Sequence, residues 1–214
     1  MKILITGFDA FNGEKINPSS LILEKISDEI CDHKIEKQLL PTAFYKVADI
    51  LERKIIEYRP DIIISLGQAG GRSEITVERV AINIADSSIA DNRGMMPIDE
   101  KIREDGENAY FSTLPIKAIV ESLRENQIPA SISNTAGTFV CNYLMYTDLY
   151  LAEKHKNISA GFIHVPYLPD QVLDKRGVSS MSLENMVDAV EIIIKTCIAY
   201  KDKEDLKRAE GRIC

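Results

Sequence analysis

Residues 61–67, Asp61-Ile62-Ile63-Ile64-Ser65-Leu66-Gly67, constrain the fold of this chain more than any other stretch. Apolar side chains at consecutive positions leave neither face of a strand for water. Such a strand has to be covered on both sides, which is the environment of a parallel sheet held between two helix layers. Residues 2–6, closed by Gly7, have the same character, and residues 160–165 form the last clear strand of this kind.

The segments between these runs change period. Phe44, Val47, Ala48, Leu51 and Ile55 recur at helical spacing and stop before Pro60. Asn17-Pro18 reads as a helix N-cap followed by Pro at the first helical position, and the helix after it carries Leu21, Leu23, Ile26 and Ile30. Pro115 starts a helix through Ile119, Val120 and Leu123, and a long amphipathic helix runs from Leu183 through Val190 and Ile194 to Ile198. Residues 35–40, 75–84 and 130–133 read as further strands. Residues 86–108, with Gly94, Pro97 and Gly106, read as a long surface excursion. Strands alternating with helices specify an α/β domain: a three-layer sandwich with a mostly parallel twisted sheet and helices on both faces. The length of 214 residues suits one domain, 1–214, whose charged tail 201–214 is expected to fray in part.

A net charge of −7 excludes a general basic footprint, so neither nucleic acid nor an anionic membrane surface is an expected partner. No apolar run approaches the roughly 20 residues of a membrane span, and the short N-terminal run lacks the pattern of a signal peptide. The four cysteines, Cys31, Cys141, Cys197 and Cys214, are dispersed and form no CxxC pair. That spacing argues against a zinc site and a disulfide framework, and fits the reducing cytoplasm.

Two of these residues suggest chemistry. Cys141 follows a strand and a Gly turn and opens a helix reaching to about Glu153. A free thiol ionises near pH 8.5, and a helix N-terminus or a neighbouring imidazole lowers that value. The same helix start offers backbone N–H groups to an oxyanion. His164 interrupts an apolar strand just before Val165-Pro166, at the carboxyl end where active sites of open parallel sheets gather. His33 and His155 lie in charged surroundings and read as solvated; Cys197 lies in an apolar helical stripe and reads as core. A buried Cys141 and a core histidine are the plain alternatives. A catalytic imidazole needs a group to orient it, and Glu78, Asp86, Asp91 and Asp170 are equally eligible on composition. Gly67-Gln68-Ala69-Gly70-Gly71 fits neither dinucleotide nor P-loop spacing; its glycines permit a tight turn or close approach to a ligand.

Several motifs in order, Ile5-Thr6-Gly7-Phe8-Asp9-Ala10-Phe11, Asn17-Pro18, Ile75-Thr76-Val77-Glu78-Arg79-Val80-Ala81, Ala136-Gly137-Thr138-Phe139-Val140-Cys141-Asn142-Tyr143 and Gly161-Phe162-Ile163-His164-Val165-Pro166, cover nearly the whole chain. Together they resemble the pyroglutamyl peptidase I (pyrrolidone carboxyl peptidase) family of cytosolic cysteine peptidases. The resemblance implies an α/β sandwich related in architecture to nucleoside phosphorylases, assembled as a homotetramer or smaller oligomer. It also implies removal of an N-terminal pyroglutamyl residue from peptides without metal or cofactor. It places the nucleophile, base and orienting carboxylate on Cys141, His164 and Glu78. It walls a slot for the lactam ring with Phe8, Phe11, Phe139 and Val140, with Asn17 and Gln68 at the polar edge.

The chain departs from the family pattern twice. Where G-F-x-P-F-G-G is usual, Ala10 replaces the Pro and Asn12 the first paired glycine. Where I-x-D-A-R is usual, the chain has Ile84-Ala85-Asp86-Ser87-Ser88. Ser88 thus stands in place of an Arg associated with the oxyanion, and Arg93 or Arg72 is the candidate substitute. An active but slow enzyme is the expectation. A binding protein without turnover, a nucleoside-phosphorylase-like enzyme and an amidase or glutaminase with the same triad are the rival readings.

Overall fold

A computed structural model of the chain describes residues 1–155 and 157–211. The strands are β1 (Lys2–Phe8), β2 (Glu29–Ile30), β3 (His33–Leu40), β4 (Ile62–Gln68), β5 (Ile75–Glu78), β6 (Val80–Ile82), β7 (Ala109–Phe111), β8 (Ala130–Ser133) and β9 (Ser159–Val165). The helices are α1 (Pro18–Lys25), α2 (Lys46–Tyr58), α3 (Ile116–Glu125), α4 (Val140–Lys154) and α5 (Leu183–Ala199). A seven-stranded sheet has the order β2-β3-β1-β4-β9-β5-β8, and β6 and β7 form a separate ribbon. β1 is parallel to β3 and β4, β4 to β9, and β5 to β8, whereas β5 meets β9 antiparallel.

The alternation within β4 shows why this sheet is a middle layer. Ile62, Ile64 and Leu66 join the core beneath α1, α3 and α5, with Ile22, Ile119, Val190 and Ile193. Ile63 points the other way, into the core beneath α2 and α4, with Leu51, Leu144 and Phe162. Each such aliphatic side chain, removed from water, contributes about 1.5–3 kcal/mol before chain entropy is counted. The fold is therefore a three-layer α/β sandwich around a mostly parallel sheet.

Three expectations are corrected. Residues 75–84 do not form one strand: the chain breaks at Arg79, whose N–H donates to the Ser133 carbonyl while its own carbonyl accepts from Ser112 N–H. β5 stays in the main sheet and β6 leaves it to pair with β7. The first helix ends at Lys25, so Ile30 is a β2 residue, although it still packs in the predicted core. The tail is pinned as far as Glu210. The Lys201 ammonium donates to Asp61 O and Ser159 Oγ, and the Asp205 carboxylate accepts from Lys117 and Ala118 N–H in the first turn of α3. Arg208 pairs with Glu121, and Glu210 with Arg124, while the Glu210 carbonyl accepts from Arg79 at 2.6 Å. Cys214 lies outside the described residues.

The excursion over 86–108 is also held rather than loose. The buried Asp91 carboxylate accepts from the N–H groups of Phe44, Arg93 and Met95, and the Asn92 amide donates to Asp9 Oδ1 and Ala10 O.

Candidate active site

β9 lies between β4 and β5, and this insertion builds the site. His164 is opposite Gly67 on one side and Thr76 on the other. Its Nδ1 lies 2.7 Å from Glu78 Oε1, at the end of β5. The Glu78 side chain is fully buried and that of His164 is 5% exposed. Phe162, two residues earlier on the same strand face, packs its ring 4.8 Å from the imidazole.

Cys141 approaches from above β4. A Cβ on Gly67 would lie 3.0 Å from its Sγ, so the thiol occupies the space this glycine leaves beside the register partner of His164. The helix that carries the thiol starts without a side-chain cap, at Phe139. Its first intrahelical acceptor is the Phe139 carbonyl, bonded to Tyr143 N–H, so the N–H groups of the opening turn have no helical partner. Asn142 fixes the helix start. Its Oδ1 accepts from Ile82 N–H and its Nδ2 donates to the carbonyls of Ile82 and Ile84. Thr138 completes the clamp, donating from Oγ1 to Asp86 O and accepting from Asp86 N–H.

Burial and charge oppose one another here. Burial lowers the His164 pKa, Glu78 works against that shift, and the Arg72 charge adds to it. Burial would raise the Glu78 carboxyl, but His164 and then Arg72 outweigh it and hold the group below the usual carboxylate range. The Cys141 thiol is pushed up, by burial first and by the Glu78 charge second, while Arg72 pulls it down. The expectation that the helix start and imidazole leave a depressed thiol pKa is thus corrected, because removal from water dominates. The resting arrangement is a neutral thiol, a neutral imidazole and an ionised carboxylate.

Of the other carboxylates, Asp91 is spent on backbone N–H groups, Asp86 is tied to Thr138 through its main chain, and Asp170 is exposed on a 3-10 turn. Among the described residues no group of three or more His, Cys, Asp or Glu side chains is placed to hold a metal ion.

The residues expected to wall a substrate slot divide in two. Phe11 and Phe139 are part-exposed, with ring centroids 6.0 Å apart. Phe8 and Val140 lie deeper, in the core beneath them. Asn17 is buried as the cap of α1, accepting from Ser19 N–H and donating to Asp9 O. Gln68 Oε1 accepts from the buried Gln171 amide at 2.9 Å. Phe44, expected in the second helix, lies before α2 and packs edge-on against Phe139 at 5.2 Å, a place at the slot that the sequence did not indicate; Gln171 was not singled out at all. The Asn beside Cys141 was in view; its partners on β6 were not.

Arg72 is placed differently from expectation. Its Nη1 donates to Glu78 Oε1 and to Thr76 Oγ1, both at 2.5 Å, and its Nη2 to Thr135 O at 3.3 Å. Arg93 is exposed on the turn held by Asp91. Arg72 is committed to the carboxylate, so the substitution expected of either arginine beside Ser88 is not seen.

Comparison with known proteins agrees along the whole chain. The sequence model described as pyroglutamyl peptidase matches residues 1–200. The pyrrolidone-carboxylate peptidase of Streptococcus suis (strain 05ZYH33) is 53% identical over 212 residues, covering 99% of each chain. That of Thermosipho africanus (strain TCF52B) is 56% identical over 205 residues, 95% of this chain and all of its own. The structure of pyrrolidone carboxyl peptidase from Thermococcus litoralis superposes with a TM-score of 0.94 at 43% identity, covering 97% of this chain and 99% of that one. Pyroglutamyl peptidase I from Bacillus amyloliquefaciens gives 0.93 at 42% identity, with the same coverage. A match of this length and identity establishes that the chain belongs to the pyroglutamyl peptidase family.

Proposed function

We propose that this protein is a cysteine peptidase that removes an N-terminal pyroglutamyl residue from peptides, with Cys141 as nucleophile, His164 as base and acid, and Glu78 as orienter. The observation that carries the roles is the shared register. A Cβ on Gly67 would meet the Cys141 thiol, Gly67 faces His164 across β4 and β9, and His164 in turn meets Glu78 at 2.7 Å.

Sγ attacks the carbonyl carbon of the pyroglutamyl residue while the thiol proton passes to the imidazole. Because thiol and imidazole rest neutral, this transfer accompanies attack rather than preceding it. The tetrahedral oxyanion faces the uncapped first-turn N–H groups of α4, which lie ready without reorganisation. Imidazolium then protonates the leaving amine, the carbon–nitrogen bond breaks, and a thioester remains. Water, deprotonated by His164, attacks the thioester, releasing pyroglutamate and restoring the thiol. Glu78 holds Nδ1–H and so fixes which nitrogen faces the reaction.

Pyroglutamate is a neutral lactam, and an apolar slot with few polar groups suits it. The Phe11–Phe139 pair, backed by Phe44, Phe8 and Val140, supports placing the ring there, with Gln68 and Asn17 shaping its edge. Ser88 brings no cation to the oxyanion, so slower turnover is expected than with an arginine there. The reading includes one domain over residues 1–214, a homo-oligomer of two or four copies, and a cytoplasmic location. Among the described residues no helix is long and apolar enough to cross a membrane.

The test is hydrolysis of a pyroglutamyl fluorogenic amide by the reduced, folded protein beside Cys141→Ser. Turnover by the parent alone is the expected result. A folded, reduced parent that leaves the amide intact overturns the reading.

A further inference from the structure

We propose that Arg72 is a positioning residue of the triad, a clamp that ties the carboxylate behind His164 to the loop that delivers Cys141. Its guanidinium spans both. Nη1 holds Glu78 Oε1, the same oxygen that receives His164 Nδ1, and Nη2 reaches the carbonyl of Thr135, six residues before the nucleophile. Glu78 Oε2 is buried with no hydrogen-bond partner by geometry among the described residues, and Arg72 and His164 meet on the other oxygen. Thr76 Oγ1, on the same strand as Glu78, accepts from Nη1 and keeps the guanidinium from rotating away.

The backbone before Arg72 is built for this reach. Gly71 sits at φ +87°, in the left-handed region that favours glycine, and a Cβ on Gly70 would run into the ring of Tyr167. The Gly70-Gly71 pair therefore folds the chain back after β4, and Arg72 N–H closes the turn on Ala69 O. A sequence that permits a ligand-binding loop is here a turn that aims one side chain at Glu78. The Arg72 side chain is 29% exposed on the far side, where it lines a cavity of about 390 Å³ with Ser73, Thr76, Ser133, Asn134 and Glu74. Glu74 is engaged by Ser131 Oγ at 2.7 Å.

Two consequences separate this role from a purely structural one. The clamp keeps Glu78 in place and ionised while its positive charge partly cancels the carboxylate that the thiol and imidazole feel. Without it, Glu78 repels the forming thiolate unopposed, and the loop before Cys141 loses a tether.

The inference rests on the roles given above to Cys141, His164 and Glu78, and its test does not need turnover. The rate of alkylation of Cys141 by iodoacetamide is measured against pH, resolved by peptide mass spectrometry from the exposed Cys31, in the parent, Arg72→Gln and Arg72→Lys proteins. Arg72→Gln is expected to move the alkylation midpoint up by about one pH unit, because the positive charge that pulls the thiol pKa down is lost. In the amide assay it should lower kcat roughly 10- to 100-fold, part of what a positioned base supplies, with KM little changed. Arg72→Lys restores the charge but not the fork, so it should recover the midpoint and only part of kcat. An unmoved midpoint in a folded Arg72→Gln protein overturns the inference, as does an unmoved kcat. If Arg72→Gln does not fold, a Lys variant with full parental kcat overturns it instead. A parent that fails to hydrolyse the amide sinks the peptidase reading, while the alkylation shift still decides the clamp.

Discussion

A methyl group on Gly67 would lie 3.0 Å from the Cys141 Sγ and 2.7 Å from the tip of the Phe162 ring. The thiol thus has its place only because β4 lacks a side chain at that position. Gly67→Ala is expected to lower stability by about 1–3 kcal/mol through overpacking, and to lower kcat/KM by more than that loss explains, because Sγ must shift. Thermal melts and amide hydrolysis on the same sample check this. Unchanged kcat/KM would show that the thiol does not rest on β4.

The pH profile should report the buried imidazole. Burial lowers the His164 pKa, so the neutral base persists below the ordinary imidazole range, and the acid limb of kcat/KM should lie below about 6.5. Glu78 works against that shift by favouring the charged ring. Glu78→Gln removes the opposing influence, so the acid limb should move further down while kcat falls. A limb that moves up in Glu78→Gln would contradict this electrostatic balance.

Asp148 lies on the same helix as Cys141, fully buried, accepting from Ser65 Oγ at 2.7 Å while Ser65 accepts from Thr6. Burial pushes its carboxyl up to about 8. The folded state therefore keeps a proton that the unfolded chain releases near pH 4, and stability falls as pH rises from that value to about 8. The slope is at most about 1.4 kcal/mol per pH unit. Asp148→Asn should lose this slope, becoming progressively more stable relative to the parent towards pH 8. Denaturant titrations at pH 5, 6.5 and 8 test it, and parallel stability curves would refute it.

The tail predicts a local stability effect. Asp205 supplies the acceptors that α3 lacks at its start, where Pro115 offers no side-chain cap. Asp205→Ala should cost about 1 kcal/mol, the usual worth of such a cap, and lower Tm by roughly 2–4 °C. A stop codon after Tyr200 should lower Tm further, since it also removes the bonds from Arg208 and Glu210. Scanning calorimetry of the two variants measures both effects. A truncated chain as stable as the parent would mean the tail does not hold α3.

The layers of the fold were legible because β1, β4 and β9 each carry apolar side chains at consecutive positions, a pattern that a doubly covered strand tolerates. The placement of Cys141 and His164 at strand and helix ends was legible for a similar reason, while Glu78 needed the family resemblance to distinguish it from other acids. What the sequence hid depends on contacts far apart in the chain. The break at Arg79 comes from pairing with Ser133 and Ser112, which no local propensity encodes. The composition of the tail reads as solvated charge, yet Asp205 and Glu210 find backbone and arginine partners about 80 to 130 residues away. Arg72 is hidden likewise: a glycine pair announces a turn but not its target.

The position of β9 also sets an order of events during folding. β4 and β5 are made early and are separated by a short turn, yet they never pair with each other; the gap between them is filled by a strand that ends at Val165. Until that strand arrives, Glu78 has no imidazole to meet and two inner sheet edges stay open. Closing loops of this length is slow, and open edges invite association with other chains. The same insertion that brings base and carboxylate together thus makes the nascent chain most vulnerable while β9 is still missing.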